Sequence, residues 1–399
     1  MKISNPITVI IIYILVFIFP GYFILNFFDS DNFFYFYAFG KNIDFNANNF
    51  YLLIFGSILP ILLYMTFVLK DSFNNFKRQE IQFNNPLLFW KLSIFILIFI
   101  NLYFFYLFNF SIPFISLSSF VSNETYALFR SQNSGIINQG IFNLSFYFLG
   151  FYSIMCGMIL IKKSYFYLLV STFLCLLLSM FVLAKSPIFD LFFLSIIGYL
   201  FLKKNSVNII YFSIPIFSAL YFIFSVFNGE GFNFYSILKG LNARLFFGEI
   251  GDLPSYLYFF ADNPISIFSA LPGYVQEIFG YTYTPAAKII ANNTTELDSL
   301  LTAGYYNTLF IGESYAIFGN LGFILGPLAI IINLLLINIL INKSHKNIFT
   351  VLFFPYIMFK FCKGIFSGIG LFIFSTNQIL IIMFIFYLYF YNNSINIQR

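Results

Sequence analysis

The chain has 399 residues, of which 60% are hydrophobic, 24% aromatic and only 9% charged. A soluble globular chain is about 45–50% apolar and about 25% charged, so this composition excludes a soluble domain and indicates an integral membrane protein. The formal charge of +5 does not indicate a nucleic-acid partner, because the basic residues lie in loops beside apolar runs.

About ten apolar runs are long enough to be membrane-spanning helices, since about 20 residues cross the hydrocarbon core. The first run, at 6–28, is too long for a signal-peptide core and is predicted to be a retained helix. The others are predicted at 50–69, 92–110, 141–161, 165–184, 187–202, 207–227, 314–341, 348–366 and 374–391. The sequence therefore predicts an all-α membrane protein in three parts: helices 1–7 within 1–227, a large loop at 228–306, and helices 8–10 within 307–399.

Lysine and arginine indicate the orientation of these helices, because they are enriched in cytoplasmic loops. With a cytoplasmic N-terminus, the lysine pairs at 162–163 and 203–204 fall inside, together with Lys343, Lys346 and Arg399. The opposite orientation would place both pairs outside. We therefore predict that both termini are cytoplasmic and that the loop at 228–306 lies on the other side.

This outer loop is the longest polar stretch of the chain, and its acidic residues outnumber its basic ones. Long loops in compact proteins are usually functional. Its apolar periodicity predicts short interfacial helices. A second outer segment, at 111–140, contains Arg130.

Several classes of chemistry have no motif in this sequence: no P-loop, no GxGxxG at a strand-to-helix turn, no HExxH and no CxxC pair is present. The sole histidine, His345, lies in a predicted inner loop, which excludes histidine catalysis and a histidine-ligated metal at the outer face. Carboxylates and cationic side chains remain as candidates.

Arg244, Glu249 and Asp252 lie within nine residues of one another in the outer loop. A carboxylate can take a proton from a hydroxyl nucleophile, and an arginine can bind phosphate through two N–H groups. The alternative is a surface ion pair. Glu313 is predicted at the outer N-terminal end of the 314–341 helix, where an acid faces the positive end of the helix dipole. The alternative there is a simple capping acid.

Three lysines, Lys185, Lys360 and Lys363, are predicted near the outer ends of apolar helices. Ionisable residues at membrane depth are functional candidates, although snorkelling to the interface is the alternative. Lys360 and Lys363 share one helix face, and with Arg130 and Arg244 they could form a basic pocket for a lipid diphosphate. Aromatic residues of the outer loop could stack on sugar rings or simply anchor the interface: Tyr256, Tyr258, Phe259, Tyr274, Tyr281 and Tyr283.

The stretch "GYYNTLFIGESYAIFGNLGFILGPL" at 304–328 resembles the Wzy-type O-antigen polymerases, the oligosaccharide repeat unit polymerases. The resemblance rests on a polar outer run, then G-E-x-Y, then "FGNLGF" opening a long late helix. The motif residues are Gly312, Glu313, Tyr315, Phe318, Gly319 and Gly322. Length, number of spans and the large outer loop in the second half also fit this family.

The resemblance implies a GT-C-like glycosyltransferase of the bacterial inner membrane that needs neither metal nor cofactor. Such an enzyme transfers a growing glycan from undecaprenyl diphosphate to a sugar hydroxyl of the incoming lipid-linked unit at the periplasmic face. Glu313 is the acid of the matching motif, and the sugar hydroxyl needs a base, which Glu313, Asp252 or Glu249 could be. The diphosphate would be bound by the cations Arg244, Arg130, Lys363, Lys360 and Lys185, and the glycan by Tyr315, Tyr256 and Tyr274. A flippase and a chain-length regulator of the same pathway are implied partners.

Two other classes of protein remain open from the sequence. One is a flippase or transporter of lipid-linked oligosaccharides. It would spread charges through many helices, whereas here one outer loop holds much of the polar sequence. The other is a GT-C transferase that adds a single sugar from a polyprenyl phosphate, which Asp29 and Asp31 in the first outer loop favour.

Overall fold

The computed structural model describes residues 2–3, 5–12, 14–15, 47–78, 85–113, 136–182, 185–202, 207–208, 253–261, 264–266, 280, 286, 289–290, 309–344 and 348–367. Nearly all of the ordered elements in these ranges are helices. The exception is one antiparallel pair of two-residue strands, β1 (Lys2–Ile3) and β2 (Val207–Asn208). Residues 6–12 and 14–15 are helical as well.

The helices of the described residues are, in chain order, α1 (Ala47–Tyr64), α2 (Lys70–Arg78), α3 (Pro86–Leu107), α4 (Gln139–Asn143), α5 (Phe151–Leu160), α6 (Phe166–Val182), α7 (Lys185–Leu202), α8 (Leu253–Phe259), α9 (Phe310–Phe318), α10 (Gly322–Lys343) and α11 (Ile348–Ser367). A π-helical segment, Met65–Leu69, joins α1 to α2, and another, Leu144–Gly150, joins α4 to α5. The wider π turn is an irregularity often found at functional sites.

Contacts divide the chain into two units. The first consists of Met1–Pro6, Lys77–Leu241 and Lys346–Phe359, and the second of Ile7–Phe76, Asn242–His345 and Lys360–Arg399. In the first unit α5 packs against α3, α6 and α7, and seven of its ten residues are buried. In the second unit α10 packs against both α1 and α9, and α8 packs against α9.

Residues at their N-termini explain where two of these helices, α3 and α6, begin. Pro86 occupies the first turn of α3, where its missing N–H costs nothing, and it follows Asn85 in the left-handed conformation (φ 53°). The Ser164 hydroxyl accepts the Phe166 N–H at 3.1 Å and thereby satisfies a donor at the start of α6.

Four helical stretches of the described residues are long and apolar enough to cross a membrane: Ile54–Phe76, Pro86–Leu107, Ile141–Leu160 and Phe310–Lys343, the last of which comprises α9, a 3-10 turn and α10. The chain is therefore an α-helical membrane protein, and this part of the fold prediction is confirmed. The count of about ten spans and the GT-C-like arrangement stay predictions, as does the division at 227 and 306. The helix predicted at 374–391 lies outside the described residues.

Two predicted helices differ from the structure. The helix predicted at 207–227 does not begin at Val207, because Val207 and Asn208 pair with β1; the rest of that range lies outside the described residues. The helix predicted at 314–341 is not continuous. It is divided into α9 and α10 by a 3-10 turn, Gly319–Leu321, so α10 alone, with 22 residues, provides a spanning length of about 33 Å.

Candidate functional site

The helix that carries Glu313 ends because Gly319 adopts a backbone conformation available mainly to glycine. Its φ is 58° and its ψ is −141°, a region from which residues with a Cβ are sterically excluded. After the 3-10 turn, α10 starts at Gly322. The chain therefore reverses within three residues, and α9 lies alongside the first turns of α10.

Two glycines of α10 allow this close approach. A Cβ atom at Gly322 would overlap the backbone carbonyl of Ser314, and a Cβ atom at Gly326 would lie 2.7 Å from Ser314 Oγ and 3.1 Å from Phe310 Cδ2. Ser314 thus lies against Gly322 and Gly326, and Phe310 lies against Gly326. The Ser314 hydroxyl donates a hydrogen bond to the Gly322 carbonyl.

Segments of the large loop pack on the other side of α9. A buried apolar cluster joins Tyr256 and Phe260, at and after the end of α8, to Ala286, Ile290 and Ala316. The Ile265 N–H donates to the Ala316 carbonyl at 2.8 Å. That carbonyl is within the last turn of α9, where no further helical N–H is available to it.

Glu313 lies in the first turn of α9 and is partly exposed. Ala316 and Ile317 follow it by three and four residues, so the three side chains lie on neighbouring parts of one helix surface. Ala316 contacts the cluster just described, and Ile317 packs both with Ile265 and with Ala329 of α10. Glu313 therefore lies next to the part of α9 that contacts the loop segments.

Three of the predicted site residues have described side chains, and all three belong to this region. Besides Glu313 they are Tyr315, whose ring lies 5.6 Å from that of Phe323, and Tyr256. Tyr256 is only 2% exposed and its ring lies 5.9 Å from that of Phe260. This is the environment of a core residue, and a sugar-binding role for Tyr256 stays a prediction that its burial does not favour.

The remaining predicted site residues are not described to the same extent. Lys185 lies in α7, and Lys360 and Lys363 lie in α11, but the structure describes only their backbone. Asp252 directly precedes the buried Leu253 of α8 in the sequence and is itself outside the described residues. So are Arg130, Arg244, Glu249 and Tyr274.

Sequence reasoning missed one buried polar pair in the first unit. The Tyr147 hydroxyl donates to Asp190 Oδ2 at 2.6 Å, and Asp190 is 4% exposed. Asp190 is conspicuous in the sequence as an acid within an apolar run, but nothing distinguishes Tyr147 from the other 28 tyrosines. Tyr147 lies within the π segment Leu144–Gly150, which cannot be recognised from hydropathy.

No metal site is formed by the side chains described, since His, Cys, Asp and Glu residues in those ranges do not gather in groups of three or more. The fold and the surroundings of Glu313 define an α-helical membrane protein in which residues of the described segments 253–261 and 264–266 pack on a short helix that bears a carboxylate. No family model, no curated protein and no solved structure matches the chain.

Proposed function

We propose that this protein is a membrane glycosyltransferase of the Wzy type, which polymerises oligosaccharide repeat units linked to undecaprenyl diphosphate. It acts at the periplasmic face of the bacterial inner membrane, with both termini in the cytoplasm. The packing of the segments at 253–261 and 264–266 on α9 supports this proposal, because these segments belong to the predicted outer loop and contact the helix that bears Glu313. Substrate carried by the loop would therefore be close to a carboxylate.

The depth of Glu313 fits a lipid-linked substrate. Glu313 is adjacent to Ser314, whose backbone carbonyl lies against Gly322, the first residue of α10. Glu313 is therefore within about one turn of the outer end of α10, a depth of about 5 Å or less. In the proposed orientation Glu313 is then close to the boundary between lipid headgroups and hydrocarbon, where the diphosphate of a polyprenyl carrier lies.

The proposed reaction transfers the growing glycan as a block. The bond between its anomeric carbon and the diphosphate oxygen breaks, and the acceptor hydroxyl oxygen forms a new bond to that carbon. Glu313 takes the hydroxyl proton, with Asp252 or Glu249 as alternatives. The polyprenyl diphosphate leaves with the electron pair.

Cationic side chains stabilise the negative charge that develops on the leaving diphosphate. We assign this role to Arg244 first, with Arg130 second. The lysines Lys185, Lys360 and Lys363 are further candidates for the same lipid diphosphate. Tyr315 and Tyr274 are the candidates for contact with the glycan. A flippase of the same pathway would deliver the substrate, and a chain-length regulator would act on the product.

A deletion strain complemented with single variants tests this function. We expect Glu313→Gln and Arg244→Ala to abolish the ladder of glycan chain lengths and to leave surface glycan with a single repeat, while immunoblots show normal membrane levels. Glu230→Gln, which alters another acid of the predicted loop, is the matched control and should restore the full ladder. Complete ladders from both Glu313→Gln and Arg244→Ala would rule out the assignment.

A second candidate, a transporter of lipid-linked oligosaccharides, is favoured by one observation. Asp190 is a carboxylate buried inside an apolar helix bundle, and such residues often belong to ion or substrate pathways. The deletion strain distinguishes the two candidates. Lipid-linked single repeats accumulate at the periplasmic face if a polymerase is missing, and at the cytoplasmic face if a transporter is missing.

A further inference from the structure

We propose that Ser314 and Gly326 are positioning residues that fix Glu313 at the reaction centre. This inference rests on the proposed function and extends it to two residues that the resemblance does not single out. Ser314 is adjacent to Glu313 in the chain, and Gly326 lies in the second turn of α10, opposite Ser314 and Phe310. Neither residue needs to touch the substrate.

The first step is the bond between Ser314 and Gly322. Ser314 is fully buried, and its hydroxyl donates to the carbonyl of the first residue of α10. A hydroxyl that is buried in apolar surroundings without a hydrogen-bond partner destabilises the folded state. This bond therefore opposes any rotation of α9 about its own axis.

The second step is the space at Gly326. With hydrogen as the side chain of Gly326, Phe310 and Ser314, one turn apart on α9, rest directly on the backbone of α10. The contact spans a full turn of α9, so it fixes both the distance and the tilt of α9 against α10.

The third step connects this contact to Glu313. Successive side chains of an α-helix are 100° apart, so the orientation of Ser314 determines that of Glu313. On the opposite side the Ile265–Ala316 hydrogen bond holds α9 against the loop. Glu313 lies between these two contacts, and a displacement on the order of 1 Å at a catalytic group can cost about a hundredfold in rate.

Ser314→Ala and Ser57→Ala form a matched pair for the test. The Ser57 hydroxyl donates to the Phe323 carbonyl at 3.2 Å, so it binds the neighbouring residue of α10 from α1 instead of α9. Ser57 is 1% exposed. Both variants remove one buried hydroxyl bound to the start of α10, but only Ser314 belongs to the helix of Glu313.

The assay uses the full-length protein in nanodiscs with lipid-linked repeat units extracted from the deletion strain. We expect Ser314→Ala to lower kcat about tenfold or more with KM within about twofold, since catalytic alignment is lost while substrate contacts remain. Ser57→Ala should keep kcat within about twofold of the wild type, with a similar decrease in apparent Tm. Normal kcat in Ser314→Ala, or an equal loss in Ser57→Ala, overturns the inference.

Gly326→Ala provides a second, independent test. Its new Cβ atom would press on Ser314 Oγ, so kcat should fall. In the double variant Ser314→Ala/Gly326→Ala this oxygen is absent, so the combined loss should be smaller than the product of the two single losses. If the loss of kcat in the double variant equals the product of the two single losses, Ser314 and Gly326 are not coupled and the inference is contradicted. Inactive wild-type protein would overturn the proposed function together with this inference, whereas active wild type with normal Ser314→Ala overturns the inference alone.

Discussion

At the scale of single residues, buried polar groups in the apolar helices obtain most of their hydrogen bonds from helix backbone. Asn101 Nδ2 donates to the Leu97 carbonyl at 2.8 Å, and the Trp90 indole N–H reaches the Tyr167 carbonyl at 3.1 Å. Carbonyl groups can only accept hydrogen bonds, so they cannot serve a carboxylate. Asp190 needs donors, and the Tyr147 hydroxyl supplies one.

Tyr147→Phe removes this donor and should lower the free energy of unfolding by about 1–3 kcal/mol, because a buried acid then loses one of its hydrogen bonds. The measurement is the apparent Tm of the detergent-solubilised protein. Tyr165→Phe is the control, since Tyr165 is 70% exposed and its hydroxyl can bond to water. Equal Tm values for the two variants would show that the Tyr147–Asp190 hydrogen bond does not stabilise the first unit.

At the scale of elements, glycines determine how closely helix pairs approach. Between α5 and α6, a Cβ atom at Gly157 would lie 2.9 Å from Leu168 Cα and 3.0 Å from the Tyr167 carbonyl oxygen. These are backbone atoms, which cannot rotate away. Gly56 of α1 differs, because a Cβ atom there has no neighbour within 4 Å.

Gly157→Ala should destabilise the protein by about 1–3 kcal/mol through overpacking. Gly56→Ala, a matched control in an open position, should be neutral or stabilising by up to about 1 kcal/mol, because alanine favours the helix. The single tryptophan of the chain offers a local measurement. Trp90 donates to the Tyr167 carbonyl, so Gly157→Ala should shift its fluorescence emission, and Gly56→Ala should not. Unchanged Tm and emission in Gly157→Ala would contradict the close packing of α5 and α6.

The sequence predicts the helices well where one apolar run equals one helix, as in α6, α7 and α11. It fails where an apolar run changes direction. No charged residue separates α9 from α10, so the two look like one long span, and only the glycines of "FGNLGF" indicate the change of direction. The position of Glu313 was therefore predicted on the wrong helix, although its proximity to a helix N-terminus was correct. The contacts of α9 with Ile265 join residues about 50 positions apart in the chain, which periodicity cannot reveal.

At the scale of the whole molecule, the proposed chemistry depends on which compartment each polar segment faces. The α5–α6 turn is exposed and contains Lys162 and Lys163, as expected for a cytoplasmic turn. The segments at 253–261 and 264–266 pack on α9 and must face the opposite side if α9 is to meet a periplasmic substrate. The lysine pair is thus predicted to lie in the cytoplasm and the acidic loop in the periplasm, and a single experiment can test both predictions.

Two exposed positions, Ser164 in the α5–α6 turn and Ala261 after α8, suit this experiment. Each is replaced by cysteine in a chain whose three native cysteines are replaced by alanine, and intact cells are treated with a membrane-impermeant maleimide whose access to the periplasm is verified on a known periplasmic protein. We expect Ala261→Cys to react at once and Ser164→Cys to react only after permeabilisation, because a charged reagent cannot cross the inner membrane. Both variants must still support the glycan ladder, which confirms that the labelled chains are folded. Labelling of Ser164→Cys in intact cells with protection of Ala261→Cys would reverse the orientation, and a periplasmic reaction at Glu313 would then be impossible.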